Sequence, residues 1–155
     1  MPATDFRAVL RVLLEHGVDF IVVGGVAAVL EGAPISTFDL DIVHSRAINN
    51  VQRLEGALSA LDAYYRLQPE RRVRPQGHQL LMTRYGPLDV LGAIGRSRGY
   101  EELLGHVTEL QVEPGHIIRV LKLAKLIEVK SETAGEKDFA TLPILRKTLE
   151  EKGRR

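Results

Sequence analysis

Three aspartates and one pair of glycines are the residues of this sequence whose types and spacing could do chemistry. Asp39 and Asp41 stand two apart in Phe38 to Val43, a stretch that predicts a strand. Their carboxylates would then project from one face, while Phe38, Leu40 and Ile42 pack on the other. Neighbouring carboxylates repel, and a cation bridging them turns that repulsion into binding, which is how paired acids become a magnesium site. A strand end can also expose two acids that have no function. Gly24 and Gly25 fall where the apolar run Val18 to Val23 stops. Lacking side chains, they would let a phosphate approach free backbone N–H groups at the start of a helix. The same pair would serve equally as a tight packing turn. Asp89 lies in Gly86-Pro87-Leu88-Asp89-Val90-Leu91, among neighbours that would bury it. Its charge then needs compensation, from a cation or from an arginine such as Arg84 or Arg96.

These residues can act together only if the elements around them converge. Phe6, Val9, Leu10, Leu13 and Leu14 recur at helical spacing, with Thr4 placed to cap the start and Gly17 to end it. Val18 to Val23 reads as a buried strand, Val26 to Leu30 as a short helix beginning at the glycines, and Phe38 to Val43 as the next strand. Ser45 is placed to cap a third helix, whose stripe is Ile48, Val51, Leu54, Leu58 and Leu61. His78 to Arg84 and Leu88 to Leu91 predict a hairpin around Gly86 and Pro87. A short helix near Glu101 and a strand over Val107 to Val112 follow. Pro114 is then expected to open a long helix running to about Val129, from which Lys122 would reach toward bound phosphates or snorkel to solvent. A last helix is expected from Gly135 or Glu136, and Pro143 should break or kink it unless it begins a separate helix.

Composition narrows the ligands. The chain has 155 residues, enough for one domain with a real core, and its 45% hydrophobic and 26% charged residues are ordinary for a folded protein. With no cysteine, carboxylates and histidines are the remaining metal ligands, and His16, His44, His78, His106 and His116 show no metal-ligand spacing. No apolar stretch approaches membrane-spanning length, and residues 1–16 carry acids and bases, so the expected compartment is the cytoplasm and no membrane partner is expected. Residues 1–64 hold 4 Lys+Arg against 8 Asp+Glu, and residues 65–155 hold 17 against 12. That split permits an acidic metal site facing a basic wall, without the strong field of a dedicated nucleic-acid binder. Arg66, Arg71, Arg72 and Arg74 could follow an RNA or nucleotide backbone, but only Tyr64 and Tyr65 accompany them, and a solvated loop is the default.

Taken in order, Ile21-Val22-Val23-Gly24-Gly25-Val26-Ala27-Ala28, then Thr37-Phe38-Asp39-Leu40-Asp41-Ile42-Val43, then Asp89, resemble the nucleotidyltransferase superfamily with the DNA polymerase beta-like core, in its small bacterial members. Glu136-Lys137-Asp138-Phe139 is similar to the helical tail of the abortive-infection (AbiEii-like) toxin group. The resemblance implies an α+β fold: a mixed β-sheet with helices packed on it and a C-terminal helical segment. It implies a single domain, with a core over about 5–112 and C-terminal helices over about 114–152. It further implies that Asp39, Asp41 and Asp89 ligate two Mg2+ ions, that Gly24, Gly25 and Thr37 contact a nucleoside triphosphate, and that in-line displacement at the α-phosphate releases pyrophosphate. The acceptor would be an RNA end such as that of tRNA, a protein or a small molecule, and a toxin role would bring an antitoxin partner. Two positions depart from the pattern. Many relatives carry arginine where this chain has Ile35, and an acid where it has Thr141. These departures motivate a second reading, a catalytically silent module that keeps the fold and binds a nucleotide or a partner.

Overall fold

The structure is a computed structural model that describes residues 4–74, 77–133 and 135–154, apart from the side chains of residues 136–139. The apolar run before the glycines becomes β1 (Phe20–Val23), buried along its whole length, and the chain turns at once into α2 (Gly24–Leu30). Ahead of it, α1 (Phe6–Glu15) follows the expected stripe, and Gly17 closes it in the left-handed conformation at φ 71°. Its cap is Asp5 rather than Thr4, because the Asp5 carboxylate accepts from the Ala8 amide at 3.1 Å. After the helix, β2 (Leu40–His44) runs antiparallel to β1. This strand starts two residues later than the sequence suggests. Asp39 therefore precedes it, and Phe38 does not pack but stands 78% exposed. Next come α3 (Ile48–Ala60), β3 (Tyr64–Tyr65), and the expected hairpin of β4 (Gln79–Thr83) with β5 (Gly86–Leu91). The N-cap of α3 is Ala47, while Ser45 sits two residues earlier and its hydroxyl accepts from the Ala47 amide.

A small hairpin of β6 (Ala93–Ile94) and β7 (Arg98–Gly99) leads into α4 (Tyr100–Leu103) and a 3-10 turn. The segment after Pro114 overturns the long-helix expectation. It forms β9 (His116–Leu121), antiparallel to β8 (Val107–Glu113), and the helix α5 spans only Leu123–Glu132. Glu113 pairs with His116 across a tight turn whose centre is Pro114 and Gly115 at φ 80°. Proline followed by a left-handed glycine is the chemistry of a hairpin turn as much as proline alone is that of a helix start. The branched residues Ile117, Ile118 and Val120 then favour the strand. Lys122 consequently caps α5 instead of lying along a helix. Pro143 neither breaks the last element nor begins a new one, and α6 is a single helix, Glu136–Gly153.

The sheet order is β3-β4-β5-β2-β1-β9-β8, with β2 parallel to β5, β1 parallel to β9 and the other neighbours antiparallel. It is a mixed sheet. One group of helices joins α1 to α3, and a second joins α2 to α5 and α5 to α6. Leu13, Ile21, Leu40, Ile42, Leu54 and Leu88 are fully buried between these layers. Each such side chain contributes about 1.5–3 kcal/mol. This reserve allows the centre of the sheet to tolerate a charged side chain. No helix among the described residues is long and apolar enough to cross a membrane.

Candidate active site

Asp41 and Asp89 meet because β2 and β5 are adjacent, parallel and in register, with Asp41 directly opposite Asp89. Residues opposite each other in a sheet share a face, so the two carboxylates stand side by side at the sheet centre. On the other side of β2, Asp41 is opposite Val23, and the chain turns immediately afterward at Gly24. Gly24 lies at φ 68°, and a β-carbon there would come 2.2 Å from Asp41 Oδ2. A β-carbon on Gly25 would come 2.6 Å from Thr37 Oγ1. Each glycine thus makes room for one neighbouring side chain from the segment of the two acids. Thr37 in turn donates its hydroxyl to the Asp39 carbonyl at 3.3 Å.

Electrostatically, Asp41 is the exceptional group. Burial pushes its carboxyl up to about 8, helped first by the charge of Asp89 and a hydrogen bond shared with it, then by Asp39, with Lys130 opposing. Its Oδ1 is buried without a hydrogen-bond partner. The other two acids have found a cation within the chain. Arg66 Nη2 donates to Asp89 Oδ1 at 2.5 Å, and Arg66 Nη1 lies 3.8 Å from Asp39 Oδ1. The compensating arginine for Asp89 is therefore Arg66, not Arg84, which turns to Asp62, and not Arg96. Among the described residues, no three histidine, aspartate, glutamate or cysteine side chains are gathered so as to hold a metal ion between them.

A cavity of about 380 Å³ opens over Asp41, Gly24 and Gly25. Its far wall comes from the second helix group, with Leu126, Val129 and Lys130 on α5 and Thr141 and Leu145 on α6. The β6–β7 turn supplies Ile94 and Gly95. That turn is fastened to α5 by Arg98, which is ion-paired with Glu132 and Glu102, while the Arg96 amide also donates to Glu132. The pairing holds the Glu132 carboxyl down to about 2. Lys122 is exposed at the start of α5 and does not line the cavity; Lys130, eight residues on, does. Once the helix is known to begin at Leu123, the spacing of Leu126, Val129, Lys130 and Thr133 marks the wall face. The sequence placed Arg66 in an arginine run that could follow a nucleotide backbone; its pairing with Asp89 and Asp39 was not legible, since β3 has only two residues and shows no periodicity. Both departures noted in the sequence, Ile35 and Thr141, also line this cavity. Glu136-Lys137-Asp138-Phe139 begins α6, but its side chains lie outside the described residues.

No family model and no curated protein matches the chain. Solved structures do. The lincosamide antibiotic adenylyltransferase LnuA, bound to lincomycin, aligns over 94% of this chain and 98% of its own at TM-score 0.64 and 13% identity. A nucleotidyltransferase-assigned protein from Thermotoga maritima aligns over 94% and 90% at TM-score 0.58 and 16% identity. The antibiotic-resistance factor ANT(2'')-Ia, in complex with adenylyl-2''-tobramycin, aligns over 92% and 86% at TM-score 0.58 and 17% identity. At these identities the likeness is one of architecture, and it covers nearly the whole of each molecule. The mixed sheet, with the Gly24-Gly25 turn after β1 and Asp41 and Asp89 beside it, thus belongs to a chain that has the nucleotidyltransferase fold.

Proposed function

We propose that this chain is an enzyme that transfers a nucleoside monophosphate from a nucleoside triphosphate to a hydroxyl acceptor, releasing pyrophosphate. The observation that carries this reading is Asp41 standing in register with Asp89 against the Gly24-Gly25 turn. A buried carboxyl with a raised pKa and an oxygen without a partner marks a group held for chemistry rather than for an ion pair. The donor set is all carboxylate oxygen, which suits a hard divalent cation such as magnesium, and the Arg66 guanidinium is a cation already standing beside two of the three acids. Asp39, Asp41 and Asp89 would hold that metal, in two ions by the sequence resemblance. When bound, the metal supplies neutralisation of phosphoryl oxygens and a lowered pKa for the acceptor hydroxyl.

The remaining work falls to the chain itself. Gly24 and Gly25 let Asp41 and Thr37 pack against the turn and put no side chain of their own over its backbone N–H groups, which phosphate oxygens would then approach. Thr37 stands beside Gly25 without lining the cavity, and the phosphate contact of its hydroxyl rests on the sequence resemblance. Lys130 faces the same space and favours negative charge there, a part that the sequence alone gave to Lys122. The apolar wall of Ile94, Leu126, Val129 and Leu145 can take a nucleobase and exclude water from the reacting phosphate. The acceptor hydroxyl gives up its proton to a carboxylate of the site as its oxygen bonds to the α-phosphorus. The bond from that phosphorus to the bridging oxygen breaks, and pyrophosphate leaves with it. Most of the acceleration comes from alignment and charge stabilisation.

The test is incubation with magnesium, labelled nucleoside triphosphates and candidate acceptors, comparing the wild type with Asp41→Ala. Labelling by the wild type alone is expected; equal labelling by both overturns the reading. The second reading, a silent nucleotide-binding module, is favoured by Ile35 and Thr141, which leave the cavity wall short of the charges that many relatives have. It predicts calorimetric binding of triphosphate and magnesium with no labelling of any acceptor. The toxin role, with its antitoxin partner, rests on the sequence resemblance. The named activity of LnuA makes a small hydroxyl compound the competing acceptor class.

A further inference from the structure

A second groove begins where the paired acids end. The register continues from Asp41 to Asp89 and on to Leu80 of β4, whose carbonyl accepts from the Arg66 amide. Leu80 is partly exposed on this row and forms one wall of a groove of about 520 Å³ together with Tyr65, Gln68, Arg71, Arg74 and His78. His78 lines both this groove and the cavity over Asp41, so the two spaces adjoin. Among the described residues, no acid lines the groove. Arg71 also lines a further groove of about 540 Å³, beside Arg72 and Tyr64, in which Glu55 is the one acid among the described residues. The guanidinium of Arg71 lies 5.4 Å above the Tyr65 ring. Glu70 is exposed in the same loop but lines neither groove. Nearby Leu67 is 86% exposed, and Tyr64 is also exposed.

Resting on the nucleotidyl-transfer reading above, we propose that this track receives the acceptor, and that the acceptor is the hydroxyl end of a single-stranded nucleic acid. Exposed arginines spaced along a track match successive phosphates, and exposed Tyr64 and Leu67 beside Tyr65 offer surfaces on which unpaired bases stack. A track that crosses two grooves is longer than a small phosphorylated acceptor needs. A cationic amino sugar finds like charge there. The near-neutral chain as a whole supplies no long-range attraction, so binding is local to the groove and weakens with salt.

Anisotropy of a short end-labelled single-stranded RNA on the full chain tests this directly. The variant carrying Arg71→Ala with Arg74→Ala is expected to bind about tenfold more weakly, with a salt slope shallower by about 0.7 for each phosphate contact removed. Arg154→Ala, at a distant exposed arginine, should bind as the wild type does. Both groove arginines are exposed, and an unchanged melting curve verifies that the variant is folded. Equal RNA binding by wild type and the double variant overturns the proposal. Displacement of the RNA by a simple hexose phosphate also overturns it, in favour of a small phosphorylated acceptor. Triphosphate affinity is titrated in parallel and should be the same in both proteins; if it falls with RNA binding, the groove belongs to the nucleotide and the proposal fails. If RNA binds through these arginines but triphosphate does not bind the wild type, the groove stands and the nucleotidyl-transfer reading falls.

Discussion

Asp41 is the residue at which stability and function oppose each other. An acid whose pKa rises from 3.8 to about 8 on folding is protonated in the native chain at pH values where the unfolded chain has already lost the proton. Stability contributed by that proton is complete below about 4 and fades as pH climbs through about 8. Asp41→Asn should therefore raise the unfolding free energy of the ligand-free chain in urea at pH 8, by about 1 kcal/mol and with it the midpoint, and flatten its dependence on pH between 4 and 8. A midpoint lower than wild type would mean that the carboxyl is satisfied in the native chain. Gly24→Ala acts in the opposite sense. It places a β-carbon against Asp41 at a left-handed φ of 68°, so it should destabilise by about 1–3 kcal/mol and abolish triphosphate binding by calorimetry. The Gly24-Gly25 turn and the strands that carry Asp41 and Asp89 were legible in the sequence because each lies in or at the end of an apolar run, whereas Asp39, expected on one strand face with Asp41, precedes that strand. The role of Arg66 beside the acids and that of Lys130 in the cavity wall were not legible, because the first depends on a two-residue strand and the second on where a helix begins.

Elements were readable where periodicity was long and unreadable where one residue type serves two geometries. Helix α1, strand β1 and the β4–β5 hairpin follow their apolar patterns, whereas Pro114 was read as a helix start although Gly115 beside it completes a hairpin turn. That hairpin is also tied from outside: Arg11 of α1 pairs with Glu113, and the Glu113 carboxyl is held down to about 2. A comparable tie fixes the cavity wall. Glu132 on α5 is lowered to about 2 from 4.5, chiefly by its hydrogen bond from Arg98, so the tie is complete above the unfolded value and is lost as pH falls toward 2. Protection of the amides in residues 93–99, measured against the unprotected exchange rate at each pH, should fall over that acidic range before the sheet opens. Glu132→Gln should show the lower protection already at neutral pH, and unchanged protection would remove this tie as the element's fastening.

At the scale of the whole molecule, α6 closes the cavity from outside the sheet. Thr141 and Leu145 face the cavity, and at the far end Lys152 donates to both the carbonyl and the buried carboxylate of Glu31. Replacing Lys152 with Met leaves that carboxylate, among the described residues, with the Thr108 hydroxyl as its one side-chain donor, which should lower stability by about 1–3 kcal/mol in a thermal melt. The general architecture was accessible from the sequence because a strand, a glycine turn and spaced acids constrain it jointly. The closing helix was harder, since Pro143 argues against a continuous helix that tertiary packing nonetheless supports, with Leu142 and Leu145 buried on it. The Arg66 bridge has a consequence of a practical kind. A protein that brings its own counter-charge to its acids has no need of a metal to remain folded, so dialysis against a chelator should leave its melting curve where it was.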